Sequence, residues 1–108
     1  MDKEEAIHRL LVHGSYIESE LESGLLGSFR PYRGLRHDLL NDIVDCIRVL
    51  KDELHQPCVD TRLMLALWSI CGTTKLWVLD KDSMVRRNKL ISNEDLETLD
   101  NWLRVWSS

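Results

Sequence analysis

Residues 63–79 read LMLALWSICGTTKLWVL, and the fold depends on how that run is covered. Apolar side chains stand on almost every side of it: Leu63, Met64, Leu65, Leu67, Trp68, Ile70 and Cys71, then Leu76, Trp77, Val78 and Leu79. A helix that is apolar all round has to be buried by neighbouring elements or by lipid. A membrane span needs roughly 20 apolar residues in a row. Here Arg62, Lys75 and Asp80 bracket or interrupt the run, and residues 72–74, Gly-Thr-Thr, divide it. The stretch therefore predicts a mostly buried third helix in a water-soluble domain, with no membrane partner. Asp60 can cap it, because a carboxylate there accepts from free amides two or three residues on. One helix running through 72–74 is favoured over a helix to Cys71 followed by an extended 75–79.

Working outward from that run, three more helices emerge. Residues 3–22 carry Ile7, Leu10, Leu11, Ile17 and Leu21 at helical spacing, with Gly14 on the same face and Gly24 as a left-handed cap. Residues 35–55 carry the clearest stripe, Leu35, Leu39, Ile43, Cys46, Ile47, Leu50 and Leu54, and Pro57 ends it. Residues 93–106 follow Ser92, the opening of a capping box closed by Asp95, and bury Leu96, Leu99, Leu103 and Trp106. The intervening 80–91 is a polar connection with room for one helical turn. Short connections between four helices predict an all-α, antiparallel four-helix bundle in up-down-up-down order. The whole chain, 1–108, reads as a single helical domain.

Charge alternates in blocks along the chain. Net charge is −4 over residues 1–27, +3 over 28–37, −4 over 38–60, +4 over 61–91 and −3 over 92–108. An overall −4 argues against a protein that coats nucleic acid. In an up-down-up-down bundle, however, the first and third connections share an end, and those are the basic ones. Arg30, Arg33 and Arg36 come from the first; Arg86, Arg87 and Lys89 come from the third. Tyr32 beside them could stack on a base or on a partner's ring. These seven residues form a candidate site for an anion, a nucleic-acid backbone or an acidic protein face. The competing reading is that they are simply solvated.

Trp102 and Trp106 lie one turn apart on the last helix. Tryptophan is enriched at interfaces, so the pair is a candidate interface for self-association or a protein partner. The alternative is that both close the core over Trp68 and Trp77. Glu5, His8, Asp52, His55 and Cys58 have helical spacings seen in metal sites, but one half lacks the glutamates of a dimetal bundle. They read better as polar helix ends, so neither metal nor cofactor is expected. Motifs for serine hydrolases, phosphate loops, dinucleotide turns and zinc proteases are absent, so no catalytic residue is assigned.

Three scattered cysteines without C-x-x-C, behind an acidic amphipathic opening, suggest reduced thiols and a cytoplasmic location. The expected function is non-enzymatic: protein–protein interaction, as an adaptor or as an inhibitor of the antitoxin or immunity kind. Acidic helical faces suit masking of a basic partner. The alternatives are anion or nucleic-acid contact through the basic end, and a metal- or small-molecule-binding bundle.

Overall fold

Asp2 opens the first helix. Its side chain accepts from the Glu5 amide at 2.8 Å, and α1 runs over Lys3–His13. In a computed structural model that describes residues 1–107, this helix is eleven residues long, not the twenty expected from 3–22. It stops at Gly14 because Ser15 adopts φ +62°. The Ser15 amide then donates to the Val12 carbonyl and the Tyr16 amide to the Leu11 carbonyl, the two bonds of a left-handed helix stop. Gly24 is therefore no helix cap. It lies against the end of α1, where an added Cβ would collide with the Val12 carbonyl and the His13 backbone.

The second helix, α2, spans His37–Val49, and a four-residue α3 spans Lys51–Leu54. The expected continuous 35–55 is thus interrupted at Leu50, whose φ and ψ of −94° and 8° leave the helical range. α4 spans Thr61–Thr74, capped by Asp60, which accepts from the Arg62 amide. The Arg62 guanidinium and amide hold the Asp60 carboxyl down at about 2. α4 passes through residues 72–74 unbroken and continues into one π-helical turn, Lys75–Leu79, closed by the Asp80 amide on the Lys75 carbonyl. One turn, α5, Met84–Arg87, sits in the polar connection, and α6 spans Asn93–Ser107. Ser92 caps α6 by accepting from the Asp95 amide at 3.1 Å.

The described residues are all helix, turn and loop; the sole β-type pairing among them is an isolated bridge between Phe29 and Tyr32. One apolar cluster holds the elements together. Ala6, Ile7 and Leu10 of α1 meet Leu40, Ile43 and Cys46 of α2, and Leu63, Ala66 and Ile70 of α4. Leu25, Leu26 and Phe29 enter from the first connection and Leu99 from α6. Burying a large side chain contributes about 1.5–3 kcal/mol, so this cluster is the main stabilising term. The Cα radius of gyration is 13.7 Å, close to the ~13 Å of a chain this long wrapped round one core.

The expectation of a mostly buried third helix needs correction. α4 buries one side, Leu63, Ala66, Ile70 and Thr74. Its opposite side is open: Trp68 is 77% exposed, and Met64 and Leu65 are each 48% exposed. Trp68 therefore closes no core. The run Thr61–Arg87 is long and apolar enough by composition to cross a bilayer, but Asp80, Lys81, Asp82, Arg86 and Arg87 crowd its second half.

Candidate functional sites

The first connection is rolled up locally. Ser28 donates to the Leu25 carbonyl through its hydroxyl, and the Phe29 amide donates to the Leu26 carbonyl. These turns drive Leu25, Leu26 and Phe29 inward and leave Arg30 outside. The chain doubles back at Pro31, so the Phe29 and Tyr32 rings lie nearly parallel, 6.3 Å apart. From the other side, Ser83 orders the third connection. Its hydroxyl donates to the Val78 carbonyl and accepts from the Arg86 amide.

The two connections meet. The Arg30 guanidinium carbon lies 4.0 Å from the centroid of the Trp77 ring, a cation–π contact. Around that contact is a hollow of about 560 Å³, floored by Phe29 and Val85 and walled by Arg30, Tyr32 and Trp77. Leu76, Met84 and Leu90 form an exposed apolar rim. The Tyr32 hydroxyl is buried and has no hydrogen-bond partner. Its pKa is raised, first by burial and then by the charge of Asp95.

The other basic residues behave individually. Arg36 makes a two-pronged pair with Asp38 at 3.0 and 2.8 Å, and Arg86 donates to the Leu79 carbonyl at 3.0 Å. Arg33 lines a separate, smaller depression with Arg30 and Arg36. Arg87 is exposed at the end of α5. Lys89, at φ +55°, occupies the left-handed position just past α5, where its amide donates to the Arg86 carbonyl.

On the side of α4 away from its buried residues, Met64, Leu65, Trp68 and, in the π-helical turn that follows, the 64% exposed Leu76 form an apolar strip. Trp106 reaches this side and shares with Met64, Trp68 and Cys71 a shallow hollow of about 450 Å³. Trp102, one turn earlier on the same face of α6, donates from its indole nitrogen to the Leu40 carbonyl at 3.2 Å. The two α6 indoles meet edge to face, 5.2 Å apart. The candidate interface pair is therefore divided between tying α6 to α2 and bordering an open apolar surface.

The five metal candidates are dispersed among other partners. Glu5 accepts from Arg9, and His8 Nε2 lies 3.1 Å from Glu20. Asp52, His55 and Cys58 are exposed around the end of α3. Among the described residues no group of three or more His, Cys, Asp or Glu is placed to hold a metal ion.

A cluster that sequence reading passed over is centred on His13, which is only 3% exposed. Its Nδ1 accepts from the Leu25 amide at 3.0 Å. An amide can only donate, so the ring proton sits on Nε2, which donates to Asp42 at 2.8 Å. Arg9 binds the other Asp42 oxygen at 2.7 Å. Burial pushes the His13 pKa down and outweighs the pull of Asp42 in the other direction. Burial also works against the Asp42 charge, but the bonds from His13 and Arg9 prevail and hold its carboxyl below the usual range. A histidine next to the expected glycine position was the only available signal, and helical periodicity gives it no role.

Comparison with known protein families, with curated proteins and with solved structures found no match.

Proposed function

We propose that this protein acts without catalysis of its own, as a cytoplasmic adaptor or as an inhibitor of the antitoxin or immunity kind, by binding another protein through the outward face of α4. The observation that carries this reading is Trp68, 77% exposed on the most apolar helix of the chain. Isolated surface apolar residues are ordinary, whereas a contiguous strip marks an interaction site. Met64, Leu65 and Leu76 extend the strip, and Trp106 borders it. Covering what these four side chains leave exposed supplies about 4–7 kcal/mol before the cost of association is subtracted. Tryptophan beside a shallow hollow is the usual anchor of such a contact.

The helix order behind this reading is up-down-up-down. Lys3 pairs with Glu53 and Arg9 with Asp42, which supports opposite directions for α1 and α2. Glu4 pairs with Arg62, and the Ser69 hydroxyl donates to the Gly14 carbonyl, which supports a shared direction for α1 and α4. Trp102 against Leu40 and Trp106 beside Leu67 support α6 running opposite to α4. In that order the α4 strip lies along the side of the bundle and reaches the basic end only at Leu76. A nucleic-acid role for the basic end has less support, since Arg36 is neutralised by Asp38 and Arg86 is turned onto a carbonyl.

Trp68→Ala tests the proposal. An exposed residue contributes within about 0.5 kcal/mol to stability, but an anchor contributes about 2 kcal/mol or more to binding, roughly thirtyfold. Wild type and variant would be compared by sedimentation at micromolar concentration and by the proteins that co-purify from the native host. The expected result is unchanged thermal unfolding with loss of the partner, or of the dimer if the partner is a second copy. A wild-type chain that sediments as a monomer and captures the same proteins as the variant would refute the reading.

A further inference from the structure

The hollow between the two basic connections lies away from the α4 strip, touching it only at Leu76, and it has the features of a small-molecule site. Its volume of about 560 Å³ falls within the roughly 300–1,000 Å³ of ligand pockets. The lining is aromatic and aliphatic, carries one full charge, Arg30, and contains no carboxylate. Arg30 lies over Trp77 and is not engaged in an ion pair with any described residue. The Tyr32 ring lines the same wall, while its hydroxyl is closed off from the hollow.

We propose that this hollow binds a small aromatic monocarboxylate, its ring set among Phe29, Tyr32 and Trp77 and its carboxylate held by Arg30. A guanidinium matches a carboxylate with two parallel N–H donors, and stacking on Trp77 fixes its plane. One charge calls for one charge. A polyanion would need several cations inside the hollow, and Arg30 is the one charged residue among the described residues lining it. The apolar rim of Leu76, Met84 and Leu90 favours a flat hydrocarbon body over a sugar.

The full chain would be titrated with 2-naphthoate and, separately, with the uncharged 2-naphthamide, following the four indole N–H signals by NMR. The expected outcome is a saturable shift of the Trp77 signal with naphthoate, and binding of naphthamide weaker by about tenfold or more. Arg30→Gln should weaken naphthoate by about tenfold or more, and Arg30→Lys should recover part of that. Arg30 is exposed, so the variants should keep wild-type circular dichroism and unfolding midpoints. Four results would overturn the proposal: no saturable shift at millimolar naphthoate, equal affinity for acid and amide, unchanged affinity in Arg30→Gln, or shifts confined to Trp68 and Trp106. Displacement of bound naphthoate by a heparin oligosaccharide of higher affinity would also overturn it, in favour of a polyanion.

Discussion

His13 offers the sharpest quantitative test of how the fold is held together, because one buried ring links α1, the first connection and α2. Removing it as His13→Ala leaves the buried Leu25 amide without an acceptor, a loss of about 1–3 kcal/mol. It also removes a bond to the Asp42 carboxylate, which contributes about 1.5–3 kcal/mol. Together these predict a loss of about 2.5–6 kcal/mol, a large share of the roughly 5–15 kcal/mol of a typical domain. His13→Asn separates the two bonds. Its carboxamide oxygen can stand where Nδ1 does and keep the Leu25 contact, so about half the loss should be recovered.

The same ring sets a pH dependence. Burial holds its folded pKa below the ordinary 6.5, against the pull of Asp42 and Asp38 and with the help of Arg9. An unfolded chain therefore takes up a proton that the folded one refuses. The contribution of His13 is whole above pH 6.5 and is lost as pH falls from there through the folded pKa, with a slope of at most about 1.4 kcal/mol per pH unit. Asp42 acts in a lower window, since its contribution is present above 3.8 and lost as pH falls through its depressed pKa. Urea unfolding followed by tryptophan fluorescence, from about pH 7.5 to about pH 4.5, measures the His13 effect clear of the Asp42 window. His13→Asn should be less stable at neutral pH and flatter below pH 6.5. A His13→Asn chain that keeps the wild-type slope, or a His13→Ala loss under about 1 kcal/mol, would refute the reasoning.

Other outcomes follow from the backbone and the thiols. Gly24→Ala should destabilise by about 3 kcal/mol or more, because its Cβ would run into the Val12 carbonyl and His13 backbone. Gly72→Ala should stabilise by about 0.5–1 kcal/mol, since its nearest neighbour would be Trp68 Cδ1 at 3.9 Å; thermal denaturation distinguishes the two. Ser15→Gly should raise stability by about 0.5–1 kcal/mol, as φ +62° strains any residue with a Cβ. In alkylation at mildly alkaline pH, read by mass spectrometry, exposed Cys58 should react ahead of Cys46. Burial, aided by nearby Asp42, pushes the Cys46 thiol up to about 12.

What could be seen in the sequence was whatever depends on neighbours along the chain. The α6 stripe, the carboxylate of Asp60 and the hydroxyl of Ser92 act within one or two turns, and the structure keeps each of them; of the α2 stripe it buries Ile43, Cys46 and Leu50 and adds Leu40. Passage of α4 through residues 72–74 belongs with these, since a single glycine costs a buried helix only about 1 kcal/mol. The end of α1 was illegible for a definite reason. The stop is made at Ser15, a residue with no preference for positive φ, and it is enforced from outside. Residues 24–26 come back over the helix end, with the Leu26 amide on the His13 carbonyl and the Leu25 amide on the His13 ring. Those bonds span twelve or thirteen residues and leave no periodic trace. The basic site divides along the same line. That Arg30 and Tyr32 belong near the third connection followed from helix order, but the Trp77 face that receives Arg30 depends on the π-helical turn at 75–79. The open side of α4 is the most instructive case. An all-round apolar helix demands cover, and this chain covers only half of it with its own residues. The uncovered half, with Met64, Leu65 and Trp68, is the surface on which the proposed contact with a second protein rests.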